Sequence, residues 1–300
     1  MCRLLLYLGK PIVLYKLLVE PENSLINQSI HARSIDTPVN GDGFGVAWYV
    51  PEITSKPGLF RSLLPAWSNN NLERLSRVTR SGTVLAHVRA ASSGIESAES
   101  NCHPFTYMQF AFAHNGDVGC FKHIRRHIEA ELSQQAYDLI NGNTDSEHVF
   151  ALFIDQIRAL QAADTSTNAG VDSALFAKAL EQTVAKVLAL ARIACDQGHE
   201  DVNSYLNITI TDGVRGVACR CSTDTDENTP TLYVFRRGEY SCEDGVCSLD
   251  VMRPGDGAVV VSSEALTQDS AWEIVPHNHM VIIAQDRTVT IRPMNLEQPD

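Results

Sequence analysis

The 300 residues carry 24 basic and 36 acidic side chains, a net charge of −12, with 44% apolar and 20% charged residues. That composition is ordinary for a globular chain able to bury a substantial core, and its sign argues against nucleic acid or an anionic membrane as a main partner. No apolar run approaches the roughly 20 residues of a membrane helix, the apolar start ends at Gly9-Lys10-Pro11 with no cleavage site behind it, and the cysteines read as reduced cytoplasmic thiols.

Met1-Cys2-Arg3 leads into Leu4-Leu5-Leu6-Tyr7-Leu8, and Cys2–Gly9 is predicted to be a buried strand. Removal of Met1 would give Cys2 two reactive groups, a thiol nucleophile and an α-amine of pKa about 8 that can take its proton. Gly45–Val50 is a second strand, stopped by Pro51. Leu72, Leu75 and Val78 recur at helical spacing over Asn70–Thr79, Thr83–Arg89 is a third strand, and Phe110–His114 a fourth, ending at the turn signal Asn115-Gly116. Helices are predicted over Phe121–Ile140, Asp145–Leu160 and Ser173–Gln197, with the polar loop Ala163–Asn168 between the last two. The C-terminal third returns to strands at Leu206–Thr211, Gly216–Cys221, Thr231–Arg236, Ala258–Ser262, Met280–Ala284 and Thr288–Pro293, with Ser222–Thr229 as a hairpin tip. Strands, then helices, then strands favour α+β over a doubly wound sheet, in one domain over residues 1–300.

Several motifs point to chemistry that their context does not support. Gly41-Asp42-Gly43-Phe44-Gly45 lacks the strand before and the helix after that a dinucleotide site needs, and reads better as a glycine turn that lets backbone pack close to a site. His123 and His127 are separated by Ile124-Arg125-Arg126, with no glutamate base and two repelling cations, so a solvated helix face is expected. His277 and His279 lack a third ligand, and Cys219, Cys221, Cys242 and Cys247 lack the usual zinc spacing. No metal or cofactor is expected.

Four short sequences complement Cys2: His87-Val88-Arg89-Ala90-Ala91-Ser92, Asn101-Cys102-His103-Pro104-Phe105, His114-Asn115-Gly116-Asp117 and Asn143-Thr144-Asp145-Ser146-Glu147. All fall at strand ends, turns or helix starts, where sites are built. Arg89 offers a fork for a carboxylate, Asn115 and the Gly116 amide can donate to an oxyanion, and Asp145 can hold an ammonium. Each also has a plain structural reading: a surface ion pair for Arg89, a hairpin turn for Asn115-Gly116, a capping box for Thr144-x-x-Glu147. Together with Cys2 they read as an amide hydrolase for glutamine-like substrates.

In this order the motifs resemble the class-II glutamine amidotransferases, which are N-terminal-nucleophile hydrolases. Ile26-Asn27-Gln28-Ser29, Asn40–Gly45, Asn101–Tyr107 and Ser262-Ser263-Glu264-Ala265-Leu266 resemble the stand-alone subgroup. That subgroup includes the amidotransferase-like subunit of the fungal glutathione-degradation complex and a bacterial γ-glutamyl hydrolase of ergothioneine synthesis. The resemblance implies a four-layer αββα sandwich of two antiparallel sheets, the C-terminal strands of 206–293 completing them. It implies Cys2 as nucleophile, Asn115 and Gly116 as oxyanion hole, Arg89 and Asp145 as clamps for the α-carboxylate and α-amine, and Ser92 and His103 lining the glutamyl pocket. No sequence for an ammonia-consuming second domain is recognised, so a γ-glutamyl hydrolase, glutathione first, is expected. The resemblance adds a metallopeptidase-like partner subunit. A glutaminase feeding a separate synthase and a non-catalytic γ-glutamyl-binding or structural subunit are the alternatives.

Overall fold

In the computed structural model the apolar run behind Cys2 becomes β1 (Arg3–Val13). The structure describes residues 2–33, 39–90, 98–163, 172–196, 203–224, 229–236, 238–243, 246–250 and 257–296. After β1 come α1 (Tyr15–Leu18), α2 (Leu25–Ile30), β2 (Phe44–Val50), β3 (Thr54–Ser62), α3 (Asn70–Val78), β4 (Arg80–Val88), β5 (Phe105–Tyr107) and β6 (Phe110–Asp117). The helices α4 (Phe121–Glu131), α5 (Gln134–Tyr137), α6 (Asp145–Ala163) and α7 (Ser173–Asp196) follow. The chain then forms β7 (Tyr205–Thr211), β8 (Gly216–Ser222), β9 (Tyr233–Phe235), β10 (Glu239–Glu243), β11 (Val246–Asp250), β12 (Val259–Ser262), β13 (Glu273–Ile274), β14 (His279–Ile283) and β15 (Val289–Pro293).

Two antiparallel sheets organise these strands. One has the order β13-β9-β12-β1-β4-β2-β3 and the other β15-β14-β8-β7-β6-β5, while β10 and β11 pair on their own. The sheets stack through Leu4, Leu6, Leu8 and Leu85 on one side and Ala111, Ala113, Ala218, Val281 and Ile283 on the other. Short alanines on the second sheet leave room for the leucines of the first. The opposite face of the first sheet, with Leu5, Tyr7, Val84 and Ala86, packs on Leu17, Leu18, Leu25 and Leu72 of α1–α3. The opposite face of the second, with Phe112, Ile208, Ile210 and Cys219, packs on Val149, Phe153, Phe176 and Val184 of α6 and α7. This is the α+β four-layer αββα sandwich. Both faces of β1 are covered, which is why its sequence is continuously apolar and does not alternate.

The structure departs from the expected elements in specific places. β1 continues past Pro11, where its register with β4 shifts between Leu8 and Ile12, an irregularity that tolerates the missing N–H. The single helix expected over Phe121–Ile140 is two, because the Ser133 hydroxyl accepts from Ala136 N–H and starts α5 afresh. Strands β3, β5, β10, β11 and β13 were not expected. β3 contains Pro57 and Gly58 and shows no alternation. Residues 164–168 and residues 225–228 of the Ser222–Thr229 tip lie outside the described residues. Among the described residues no helix is long and apolar enough to cross a membrane.

Candidate active site

Cys2 stands at the head of β1, the central strand of its sheet, and β4 beside it ends at Val88, paired with Arg3. The chain beyond β4 therefore passes the thiol. Ala90 N–H donates to Cys2 Sγ at 3.4 Å, and the thiol lies 3.5 Å from the Ala90 carbonyl. Burial pushes the thiol pKa up. The Ala90 N–H, the N-terminal charge and the Arg89 guanidinium oppose that rise, and Asp117 adds to it. A thiol raised in this way needs a base to react at neutral pH.

Arg89 follows β4 and is 4% exposed. The glycine turn ahead of β2 holds it: Asp42 N–H donates to the Arg89 carbonyl at 3.1 Å, and Arg89 N–H donates to the Gly43 carbonyl at 2.8 Å. Gly43 has φ +115°, and a Cβ there would meet the Ser62 carbonyl at 2.7 Å and Cys102 Sγ at 2.8 Å. Backbone proximity, not phosphate binding, explains these glycines. The guanidinium makes one long bond, from Nη1 to the Asp42 carbonyl at 3.5 Å. Among the described residues no carboxylate pairs with it.

The second sheet supplies the opposite wall. Asn115 and Gly116 lie within β6, opposite Asn207 and Leu206 of β7, rather than in the hairpin turn their sequence signals. Asn115 is buried, and its Oδ1 has no partner among the described residues. Gly116 has φ +152°, and any Cβ would collide with the Tyr205 carbonyl, so no other residue fits. The N-terminus of α6 presents Asp145, whose Oδ2 accepts from Val118 N–H at 2.8 Å and whose Oδ1 accepts from Ser146 N–H at 2.7 Å. The expected capping box is also there: Thr144 Oγ1 accepts from Glu147 N–H at 3.2 Å, and Glu147 Oε1 accepts from Gly142 N–H at 2.8 Å. Thr144 and Glu147 cap the helix, so Asp145 is not needed for that task.

His103 is buried with neither ring nitrogen partnered among the described residues, its ring centroid 4.3 Å from His87 and 4.4 Å from Phe105. Burial, reinforced by His87 and His114, holds its pKa well below the usual imidazole range. His87 donates from Nε2 to the His114 carbonyl at 3.1 Å, and burial lowers its pKa to about 3. Both rings are therefore uncharged. Ser92 and Met1 lie outside the described residues.

Sequence reasoning missed the supports. Arg3 and Glu264 form a buried ion pair at 3.3 Å, and Arg3 Nη1 donates to the Cys2 carbonyl at 2.9 Å. Ser263 ties β1 down beside it, its Oγ accepting from Leu4 N–H at 3.0 Å. Asn101 Nδ2 donates to Asn143 Oδ1 at 3.2 Å, joining two of the four motifs. The Ser-Ser-Glu sequence was visible, but nothing local in it points to Arg3. His123 and His127 lie on the exposed face of α4. Cys219 and Cys221 are buried in the second sheet, where burial pushes the Cys221 thiol up to about 12. β10 and β11, which carry Cys242 and Cys247, form a sheet of their own.

Two stacked antiparallel sheets between helical layers, with a cysteine heading a central strand, have the layering of the N-terminal-nucleophile hydrolase fold. The comparisons narrow the class. The family described as class-II glutamine amidotransferases matches residues 19–192. A probable glutamine amidotransferase of Saccharomyces cerevisiae, DUG3, is 36% identical over 305 residues, covering 98% of this chain and 84% of the relative. The chain belongs to the class-II glutamine amidotransferases. It is also 27% identical to the gamma-glutamyl-hercynylcysteine sulfoxide hydrolase of Mycobacterium tuberculosis, over 95% of this chain and 94% of that protein. Among solved structures, a glutamine aminotransferase class-II domain protein from Silicibacter pomeroyi superposes with TM-score 0.63 at 25% identity, covering 98% of this chain and 99% of that one. The glutamine phosphoribosylpyrophosphate amidotransferase of B. subtilis shares the fold, with TM-score 0.58 at 14% identity over 98% of this chain and 50% of that one.

Proposed function

We propose that the protein hydrolyses a γ-glutamyl amide bond in a small peptide, glutathione first, with Cys2 as nucleophile. The observation that carries this reading is Arg89. A buried guanidinium is costly unless a carboxylate answers it; among the described residues none does, and this guanidinium adjoins the residue that contacts the Cys2 thiol. The α-carboxylate of a glutamyl group meets that need, and Asp145 takes its α-amine. The family resemblance assigns His103 and Ser92 to the same glutamyl pocket. The uncharged His103 ring offers one N–H donor and one acceptor nitrogen without competing for the carboxylate.

Once Met1 is removed, the α-amine of Cys2 takes the thiol proton, directly or through water, and the thiolate attacks the γ-carbonyl carbon. Asn115 and the Gly116 N–H donate to the oxyanion that forms. The intermediate collapses to a γ-glutamyl thioester, and the leaving amine departs with the proton held by the α-amine. Water, deprotonated by the same amine, adds to the thioester and releases glutamate and the Cys2 thiol.

The names of the relatives support this class of bond, the mycobacterial one by its γ-glutamyl substrate. The fungal subgroup adds a metallopeptidase-like partner subunit and a cytoplasmic location. Purified protein is incubated with glutamine, γ-glutamyl peptides and glutathione, alone and with co-purifying partners, and free glutamate is measured. Release from glutathione above glutamine is expected. A wide preference for glutamine, with ammonia passed to a co-purifying synthase, favours the glutaminase reading. No release under any condition favours a non-catalytic subunit.

A further inference from the structure

His114 opens the His-Asn-Gly sequence, yet the chemistry above gives it no part. Its ring is buried, and it touches both ends of the site. Nε2 lies 3.0 Å from the Tyr205 carbonyl. A carbonyl only accepts, so in the neutral ring Nε2 carries the proton and Nδ1 is bare. Nδ1 lies 2.8 Å from Ser146 Oγ, and the same hydroxyl lies 3.1 Å from Asp145 Oδ1. Ser146 has one hydroxyl proton, and two acceptors compete for it. While the Asp145 charge is unanswered, the carboxylate is the stronger acceptor. An ammonium bound to Asp145 weakens that acceptor and turns the hydroxyl toward Nδ1. Donation into Nδ1 then strengthens the Nε2–H bond to Tyr205, because linked hydrogen bonds polarise one another.

That bond sits against the oxyanion glycine. A Cβ on Gly116 would collide with the Tyr205 carbonyl and stand 3.0 Å from His114 Nε2. Gly116 is thus seated on the pair of atoms whose bond the Ser146 proton adjusts. We propose that His114 is a positioning residue that couples occupancy of the α-amine clamp to the seating of the oxyanion donor. The relay runs Asp145, Ser146, His114, Tyr205 carbonyl, Gly116. It rests on the roles given above to Asp145 and Gly116, and it makes the α-amine contribute to turnover as well as to affinity.

The test compares the γ-glutamyl peptide hydrolysed in the assay above with its glutaryl counterpart, which lacks only the α-amine. In the wild-type protein kcat favours the γ-glutamyl peptide. Ser146→Ala lowers that preference roughly tenfold, the worth of about one charge-assisted hydrogen bond. A variant that slows both peptides by a common factor, preference intact, overturns the relay and leaves the Asp145 assignment standing. Equal kcat for the two peptides in the wild-type protein overturns the relay, and equal kcat/KM removes the Asp145 assignment as well. A second readout does not depend on turnover of a variant. In the ¹⁵N spectrum of the wild-type protein, glutamate shifts the His114 Nδ1 resonance and glutarate does not. Identical responses to the two ligands overturn the proposal.

Discussion

Arg89 is where one residue decides most. Its main chain is fixed by Asp42 and Gly43, while among the described residues its guanidinium makes one long bond, to the Asp42 carbonyl. Arg89→Lys retains the charge but loses the two-pronged fork, so kcat/KM for γ-glutamyl substrates should fall, and unchanged kinetics would remove Arg89 from the site. In the proposed mechanism Asn115→Ala removes a donor to the oxyanion. It should lower kcat about 10²–10³-fold, roughly 3–4 kcal/mol, with a smaller change in KM. A change confined to KM would make Asn115 a binding residue only. The candidates at strand ends and helix starts were legible in the sequence, because polar groups in those places stand out against the apolar runs around them. The purpose of His114 was not legible. Its ring partners lie 32 and 91 positions away, and only the pairing of β6 with β7 and the approach of α6 bring them together.

At the scale of elements, the thiol is only as well placed as β1. The buried Arg3–Glu264 pair anchors that strand's first turn of backbone, since Arg3 also holds the Cys2 carbonyl and Glu264 accepts from Arg33 N–H at 3.0 Å. Glu264→Gln removes the buried carboxylate that stands 3.3 Å from the Arg3 guanidinium and should cost about 3–5 kcal/mol of stability by urea denaturation. Replacing both residues by methionine should restore much of that stability while kcat stays low, because the anchor on the Cys2 carbonyl is still missing. Recovery of kcat in the double variant would show that the pair serves the fold alone. Long apolar strands such as β1, β4 and β7 were read correctly in place because burial on both faces gives unbroken apolar runs. The edge strand β3 was hidden, since it is half-exposed and interrupted by proline and glycine. The break between α4 and α5 depends on a single serine cap that helical periodicity does not reveal.

For the whole molecule, the order of strands, helices and strands reached only the α+β class, while the resemblance implied the stacking of two sheets that the structure shows. Stacking them buries His87 and His103 as uncharged rings, and this makes stability depend on pH. The unfolded His87 ring takes a proton near 6.5 and the folded ring only near 3, and His103 is shifted in the same direction. Between those values the unfolded chain holds more protons, so stability is complete above pH 6.5 and falls as pH drops below it. At pH 5 the loss should be roughly 2 kcal/mol from His87 alone, read from urea midpoints at pH 7.5 and 5. His87→Asn should flatten that slope, and a flat wild-type profile would mean that the rings are protonated inside the fold. The central claim, a γ-glutamyl thioester on an N-terminal Cys2, is tested most directly by acid-quenching turnover and locating the acyl group by mass spectrometry. One glutamyl group on a peptide that begins at Cys2, and none in Cys2→Ala, is the result expected; full turnover with Met1 retained, or with no acyl group on that cysteine, would contradict it.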